Sequence, residues 1–402
     1  MKTRLAKGIF GCLALALSSA AAQDYRVWTD ANGRTVEGAV VASDLNWFTI
    51  VNEEGKKGAI QIKQLGDDDQ AWLKKWREEN RDAPWIDPER PPPWPQTLGA
   101  GLAEVEKVEQ SPESRVFVYR SANFELQSDV KLPDRFSREV ASIFEATRTA
   151  VKTLPLGLAA DPNHGRRRQP SLRSRSDRLV VQLFDAPNDY ARAGGPTGTS
   201  GTYISWLGRT LISLENVGER DEQGELDLDV LKNEYLLRHE ITHQVMHDWL
   251  RHLPMWLREG FAEYLGAVGY EDGKYTFDEL NLRMQAYVNK WRFDEDPNRI
   301  PMLHPAKIMA MSEQEWQQSL KRETPILNYN SAALLTYFFL HQSSEKAGAH
   351  LAEYLDAIRR GAPGHEAAKT HLMRGRTADE LAAELVARWK GFNVKIEISD
   401  DL

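Results

Sequence analysis

Five consecutive residues of this 402-residue chain combine side chains that bind metal ions and transfer protons: His239-Glu240-Ile241-Thr242-His243. In an α-helix, residues four positions apart lie on the same face, so the two imidazoles would point in one direction. Two neutral imidazoles arranged in this way can bind one Zn²⁺ ion. Glu240 would lie beside them, where a carboxylate can take a proton from water. The motif predicts metal-assisted hydrolysis, and the alternative is an exposed helix that merely carries two histidines.

A catalytic zinc ion needs a third protein ligand, and the sequence downstream offers three candidates. His247 continues the spacing of four and His252 is near, but a further turn of a straight helix moves away from the metal. Leu253-Pro254 ends the first helix, and a second helix that returns antiparallel would present Glu259. Two histidines and one glutamate would leave one coordination position open, as catalytic zinc requires.

Glu263 follows Glu259 by four residues and therefore shares its helix face. A carboxylate at this position can accept a hydrogen bond from the outer nitrogen of a histidine that binds a metal with its other nitrogen. The alternative is an ordinary surface or structural ion pair. We predict the first arrangement for His239 or His243.

The residues around the motif predict the elements that must position it. Strands rich in β-forming residues come first, and after residue 226 the pattern is nearly all helical, which indicates an α+β arrangement. The strand at 202–206 either pairs with an extended substrate or lies inside the sheet. The predicted elements are strands at 115–119, 124–128, 179–184, 202–206 and 210–214, and a helix at 133–153.

The first part of the chain predicts three further segments. Residues 23–80 read as about five short strands, with an Asn32-Gly33 hairpin signal, and a terminal helix, which together fit a small β-barrel. Residues 81–112 include a proline-rich stretch and are predicted to form a semi-rigid linker. Residues 113–402 form the main domain.

Residues 1–22 have the pattern of a targeting segment. Three basic residues precede an apolar stretch at 9–17, and Ala20-Ala21-Ala22 offers a cleavage site, as in a secretory signal peptide. A lipoprotein signal ending at Cys12 is the alternative, although the apolar run before Cys12 is short. We expect export to the periplasm or the cell exterior, cleavage near Ala22, and no later membrane span.

Composition excludes several function classes. The formal net charge of −8 argues against a general nucleic-acid-binding protein, which needs a basic surface. A single Cys excludes a disulfide scaffold and any zinc module built from cysteines. The apolar fraction of 41% is ordinary for a globular protein with a sizeable core.

Two helical segments carry a resemblance to a known group. The sequences HEITH at 239–243 and WLREGFAEY at 256–264 resemble the helix pair of the gluzincins, the thermolysin-like metallopeptidases of the MA clan, and most closely secreted bacterial members. The resemblance implies a thermolysin-like zincin domain with a mixed sheet and a mostly helical C-terminal lobe. It also implies His239, His243 and Glu259 as zinc ligands and Glu240 as general base.

The resemblance extends to a later segment and fails at an earlier one. Residues 328–335 resemble the gluzincin helix that begins with an oxyanion-stabilising tyrosine, which implies that role for Tyr329; a packed core tyrosine is the alternative. The aminopeptidase branch carries a glutamate upstream that holds the substrate's free amine. The glycine-rich stretch at 194–201 has no acidic residue, so we expect an endopeptidase.

Residues 25–79 resemble the SLA homology domain, an SH3-like module that binds short peptides. The resemblance implies a peptide or cell-envelope partner for this domain, and a plain spacer is the alternative. The matching residues are Arg26, Trp28, Asp30, Gly33, Leu65 and Asp69.

Together these features predict an exported zinc metallopeptidase that cleaves peptide or protein substrates. Two alternatives remain. One is a zinc hydrolase on the same scaffold that acts on a substrate other than a peptide. The other is a binding protein in which the first domain recognises its partner and the metal site is structural.

Overall fold

The computed structural model describes residues 25–108, 115–159, 162, 177–196, 199–220, 226–228, 231–290, 296–320 and 325–399. The predicted signal peptide lies outside the described residues. The chain has an α+β architecture with an antiparallel N-terminal sheet, a central mixed sheet and a mostly helical C-terminal region. In the described ranges, no helix is both long enough and apolar enough to cross a membrane.

The N-terminal sheet is antiparallel, and its four strands pair in chain order. A separate small core with Trp28, Phe48 and Leu73 fully buried lies between the sheet and the helix that follows it. The elements are β1 (Arg26–Thr29), β2 (Thr35–Ser43), β3 (Trp47–Val51), β4 (Lys57–Gln61), a 3₁₀ turn (Ile62–Gln64) and α1 (Asp67–Glu79).

The closed barrel predicted for this domain is not found among the described residues. The chain after β4 enters the 3₁₀ turn instead of continuing as a fifth strand. A single β-bridge, Asp30 to Leu65, joins the end of β1 to the segment after this turn. The sheet therefore stays open, and Asp69 of α1 ties the helix to β1 by accepting hydrogen bonds from Arg26 and the Thr29 amide.

A buried carboxylate in the turn between β2 and β3 makes the stability of the N-terminal domain depend on pH. Asp44 Oδ1 accepts the amides of Asn46 and Trp47, while Oδ2 is buried without a hydrogen-bond partner. Burial raises the pKa of Asp44 from 3.8 to about 6. Below the pKa that Asp44 has in the unfolded chain, its carboxyl is protonated in both the folded and the unfolded state, so burial of a charge does not reduce stability. Above about pH 6 the folded chain carries a buried negative charge at Asp44, and stability is lower.

We therefore expect Asp44→Asn to become relatively more stable than the wild type as the pH rises from about 4 to about 6. The difference reaches at most about 3 kcal/mol, since each pKa unit corresponds to about 1.4 kcal/mol. Thermal unfolding of both proteins across this pH range measures the effect. Parallel profiles for the two proteins would show that Asp44 is not the titrating group.

The described part of the segment predicted as a linker, residues 81–108, contacts the main domain at several points. Arg359 donates to the carbonyl oxygens of Arg81 at 2.7 Å and Ala83 at 2.9 Å, and Ile86 is buried in the main core. Two strands in this segment join other sheets: β5 (Thr97–Leu98) pairs with residues 275–276, and β6 (Glu106–Val108) pairs with residues 118–120.

The central sheet has six strands in the order β10-β11-β9-β8-β7-β6, with β8, β9 and β11 parallel and the outer pairs antiparallel. One long amphipathic helix packs its apolar face into the main core, against the helix of the metal motif. The elements are β7 (Phe117–Arg120), β8 (Phe124–Ser128), α2 (Asp134–Thr153), β9 (Leu179–Phe184), α3 (Pro187–Arg192), β10 (Gly201–Ile204) and β11 (Arg209–Ser213).

Helices dominate the rest of the chain, interrupted by three short strand pairings, β12–β13, β14–β15–β5 and β16–β17. Two π-helical turns lie at Phe338–Gln342 and Ala368–Met373. The elements are β12 (Glu219–Arg220), β13 (Leu226–Asp227), α4 (Glu234–Val245), α5 (His247–Leu250), α6 (Met255–Ala267), β14 (Gly269–Glu271), β15 (Lys274–Thr276), α7 (Leu280–Val288), β16 (Arg299–Leu303), α8 (Pro305–Ala310), α9 (Glu313–Ser319), α10 (Pro325–Tyr337), α11 (Ala349–Arg359), α12 (Gly364–Ala367), α13 (Ala378–Lys390) and β17 (Lys395–Ser399).

Candidate metal centre

Helix α4 brings the two histidines of the motif together. Leu237 and Ile241 are fully buried and anchor the helix in the main core. The Nε2 atoms of His239 and His243 lie 3.1 Å apart on the other face of the helix. The spacing of four residues thus places both imidazoles side by side, as the sequence predicts.

Helix α6 returns beside α4 and supplies the carboxylate. The connection is short, and Arg258 holds it by donating from Nε to the Leu253 carbonyl at 2.7 Å. Glu259 Oε2 then lies 3.5 Å from Nε2 of His239 and 3.5 Å from Nε2 of His243. In the part of the chain that the structure describes, this is the group of histidine and carboxylate side chains that could hold a metal ion.

Gly260 lets α6 reach this position. A Cβ atom added there would lie 2.2 Å from Thr336 Oγ1 and 2.3 Å from the carbonyl oxygen of Ala332, both on α10. Helices α6 and α10 therefore cross in close contact directly beside Glu259. In the sequence, Gly260 is simply a small residue within a predicted helix. Only the tertiary packing shows why this residue must be small.

The three ligand atoms fit a zinc ion. They form a triangle with sides of 3.1, 3.5 and 3.5 Å, and the point in its plane equidistant from all three lies about 2.0 Å from each. Zinc binds histidine nitrogen at about 2.0–2.1 Å and carboxylate oxygen at about 2.0–2.2 Å. Two nitrogens and one oxygen at this separation could hold such an ion at three positions of a tetrahedral site, with the fourth position open.

The charges around the site favour a cation. Burial opposes the ionised form of Glu259, but the imidazoles of His243 and His239 outweigh it and lower the pKa of Glu259. Burial likewise disfavours protonation of His239, yet hydrogen bonds to Glu259 and Glu263 raise its pKa well above the ordinary value. Surroundings that strengthen proton binding at His239 also favour a metal ion at the same nitrogen.

Glu263 lies where the sequence predicts a supporting carboxylate. Its Oε1 is 3.0 Å from Nδ1 of His239, the nitrogen that does not face Glu259. This contact fixes the tautomer of the ring and leaves Nε2 free to bind a metal. The position is observed, while its effect on metal binding stays a prediction.

Glu240 is buried next to the histidines and contacts the sheet. Burial raises its pKa, and the nearby imidazoles partly offset this effect. Gly201 on β10 leaves room for Glu240, since an added Cβ would come within 3.0 Å of Glu240 Cγ.

Among the strands that the structure describes, β10 is the outermost at its end of the central sheet and not an internal strand. The Ser213 amide donates to the Ser200 carbonyl next to the β10–β11 pair. Because the residues of an antiparallel strand point their backbone groups alternately toward and away from the neighbouring strand, those of Gly201 and Tyr203 point away from β11. These groups lie along the edge next to Glu240. The edge has the backbone arrangement needed to pair with an extended chain.

Tyr329 lies beside the candidate metal ligands. Its ring centroid is 6.3 Å from that of His239, and burial raises the pKa of its hydroxyl far above the ordinary value, so the proton is retained. The Trp316 ring packs edge-on against it, with ring centroids 5.3 Å apart. Sequence reasoning missed Trp316, because no local pattern connects α9 to the site.

The other two histidines near the motif lie outside the ligand group. His247 Nδ1 is hydrogen-bonded to the Tyr203 hydroxyl at 2.6 Å, and burial lowers the His247 pKa. His252 Nε2 accepts a hydrogen bond from Arg251 at 3.0 Å. Both outcomes agree with the expectation that the helix carries later residues away from the metal.

Comparison with known protein families finds no match, and no curated protein matches the chain. The structure alone therefore supports the site: a His-x-x-x-His pair and a glutamate that converge in an α+β fold.

Proposed function

We propose that the protein is a zinc-dependent metallopeptidase of the gluzincin type. The observation that carries this proposal is the triangle formed by His239, His243 and Glu259, with the Glu240 carboxylate buried beside it. Two imidazoles and one carboxylate form a ligand set used by catalytic zinc, whereas structural zinc sites are closed by four protein ligands. An open position favours an enzyme over a structural site.

Zinc in this position would supply a Lewis acid that polarises a substrate carbonyl and makes a water molecule more acidic. Glu240 then takes the proton from the attacking water and delivers it to the leaving amine. The raised pKa of Glu240 suits this exchange, because a base that later acts as an acid needs a pKa nearer to the working pH. Tyr329 donates its retained proton in a hydrogen bond to the oxyanion.

The edge of β10 favours a substrate in extended conformation, bound by strand addition along Gly201 and Tyr203. The glycine-rich sequence at 194–201, which leads into this edge, has no acidic residue to correspond to the amine-binding glutamate of the aminopeptidases. An endopeptidase is therefore the activity that we propose.

The N-terminal domain is proposed to bind a peptide or cell-envelope partner. The Asp30–Leu65 bridge supports an SH3-like chain path, because it brings the segment after the 3₁₀ turn against β1.

We also propose that the chain is exported, with a signal peptide removed near Ala22, and that it acts outside the cytoplasm.

Cleavage of a peptide library by zinc-loaded residues 23–402, read by mass spectrometry, tests the activity. The library includes N-terminally blocked peptides, and the Glu240→Gln variant is the matched control because it keeps the side-chain size. We expect internal cuts by the wild type and a loss of at least about 10³-fold in the variant, with zinc content unchanged. Identical cuts from both proteins, or none from the wild type, would contradict a peptidase and favour another hydrolysed substrate or a binding protein.

A further inference from the structure

One face of the metal-binding helix contacts the β10–β11 hairpin at both ends. Gln244 follows Glu240 by four residues and therefore shares its face of α4. Glu240 lies against Gly201 at the start of β10, whereas Gln244 contacts Gly208 in the turn that follows β10. The helix face that carries the proposed general base is thus also attached to the far end of the hairpin.

Gln244 uses its side-chain amide for three hydrogen bonds to the central sheet. Nε2 donates to the Gly208 carbonyl at 3.2 Å and to the Val180 carbonyl of β9 at 2.9 Å. Oε1 accepts a hydrogen bond from Thr210 Oγ1 of β11 at 3.0 Å. Gln244 is only 2% exposed, so loss of the amide would leave buried partners unsatisfied. One side chain therefore joins α4 to β9, β11 and the hairpin turn.

The turn that Gln244 contacts also ends β10. The amides of Leu207 and Gly208 both donate to the carbonyl of Ile204, the last residue of β10, at 3.1 and 2.8 Å. Gly208 has a φ of +62°, a backbone conformation that favours glycine. A hydrogen bond to the Gly208 carbonyl therefore restrains the end of β10 together with the turn.

A second contact attaches the middle of β10 to the helices. The Tyr203 hydroxyl is hydrogen-bonded to Nδ1 of His247 at 2.6 Å, and the two rings lie edge-on with centroids 6.0 Å apart. His247 begins α5, directly after α4. Among the described strands, β10 has a neighbouring strand on one side only, so contacts with α4 and α5 support it from the helix side.

We propose that Gln244 is a positioning residue that fixes the β10–β11 hairpin on α4 and so sets the place of the free β10 edge relative to Glu240. This inference rests on the proposed function, in which an extended substrate pairs with that edge. Backbone hydrogen bonds along a strand edge supply affinity for an extended peptide. A displaced edge therefore weakens substrate binding more than it slows the chemical step at the metal.

The first test is the steady-state kinetics of Gln244→Met, a variant that keeps the length of the side chain and removes its hydrogen-bonding atoms. The substrate is the N-terminally blocked library peptide that the wild type cleaves fastest. We expect KM to rise about tenfold, as for the loss of one or two hydrogen bonds to the substrate, with kcat within about twofold and one zinc ion retained. A general loss of folding would lower kcat and zinc content as well.

The second test is the hydrogen exchange of the backbone amides of residues 201–213, which does not depend on activity. We expect exchange about tenfold faster in Gln244→Met than in the wild type, because the hairpin opens more readily. Gln70→Met is the matched control, since Gln70 also donates from Nε2 to a backbone carbonyl, that of Leu65 at 2.9 Å, but lies in the N-terminal domain. It should leave hairpin exchange and KM unchanged.

Thr210→Val is a milder variant that decides the matter if Gln244→Met does not fold. It keeps the shape of the side chain and removes only the hydroxyl that donates to Gln244 Oε1. We expect faster hairpin exchange and a rise in KM of about threefold. Wild-type hairpin exchange in the folded variants, or a fall in kcat with KM unchanged, would overturn the inference while the peptidase stands. If the wild type cleaves no peptide, the proposed function fails, and hairpin exchange alone decides whether Gln244 fixes the hairpin.

Discussion

The His239→Ala protein is expected to lose stoichiometric zinc. The substitution leaves Nε2 of His243 and Oε2 of Glu259, which lie 3.5 Å apart, as the remaining ligands of the triangle. Zinc at about 100 times its Kd stabilises a folded protein by about 2.7 kcal/mol, so the thermal midpoint of the wild type should rise on zinc addition while that of the variant should not. Metal content after dialysis, with unfolding scans in the presence and absence of zinc, measures both effects.

His247→Ala is the matched control for this prediction. His247 continues the same helical spacing, but its Nδ1 is occupied by the Tyr203 hydroxyl. We expect this variant to keep one zinc ion and the stabilisation that accompanies it. Stoichiometric zinc in His239→Ala, or its loss in His247→Ala alone, would show that the ligands are assigned wrongly.

Among substitutions that add one methyl group near the metal centre, we expect Gly260→Ala to cause the largest loss of stability. The added Cβ would lie 2.3 Å from the Ala332 carbonyl oxygen, a backbone atom that cannot move without shifting α10. Overpacking of this kind costs about 3 kcal/mol or more when the backbone must move. Because Glu259 is the preceding residue, we also expect zinc affinity to fall by roughly tenfold or more.

Chemical unfolding and chelator competition on Gly260→Ala measure these two quantities. Gly58→Ala is the control, since an added Cβ there has no neighbouring atom within 4 Å. It should change the unfolding free energy by no more than about 0.5 kcal/mol. Equal stability of the two variants would refute the close crossing of α6 and α10.

The ligand positions could be predicted because they depend on local geometry. The spacing of His239 and His243 places them on one helix face whatever the rest of the fold. Leu253-Pro254 marks the reversal that brings Glu259 back, and the structure confirms that the three side chains converge. Strands β8 and β9 also lie at the predicted residues, because both are short runs of β-forming residues next to turn signals.

The features that the sequence did not predict all depend on long-range packing. Strands β5 and β6 form because β15 and β7 offer them free edges, and their two or three residues carry no pattern of their own. Trp316 reaches Tyr329 from α9, which no spacing links to α4. The predicted barrel was wrong in its closure, because the residues after Gln61 form a 3₁₀ turn and a single bridge instead of a fifth strand.

Anomalous diffraction from crystals of the zinc-loaded protein, recorded on both sides of the zinc absorption edge, tests the central claim most directly. We predict one peak about 2.0–2.2 Å from Nε2 of His239, Nε2 of His243 and a carboxylate oxygen of Glu259. We also predict that the fourth position is occupied by solvent and not by a protein side chain. A peak at other residues, or no peak between these three side chains, would contradict the metal centre and the hydrolytic function proposed from it.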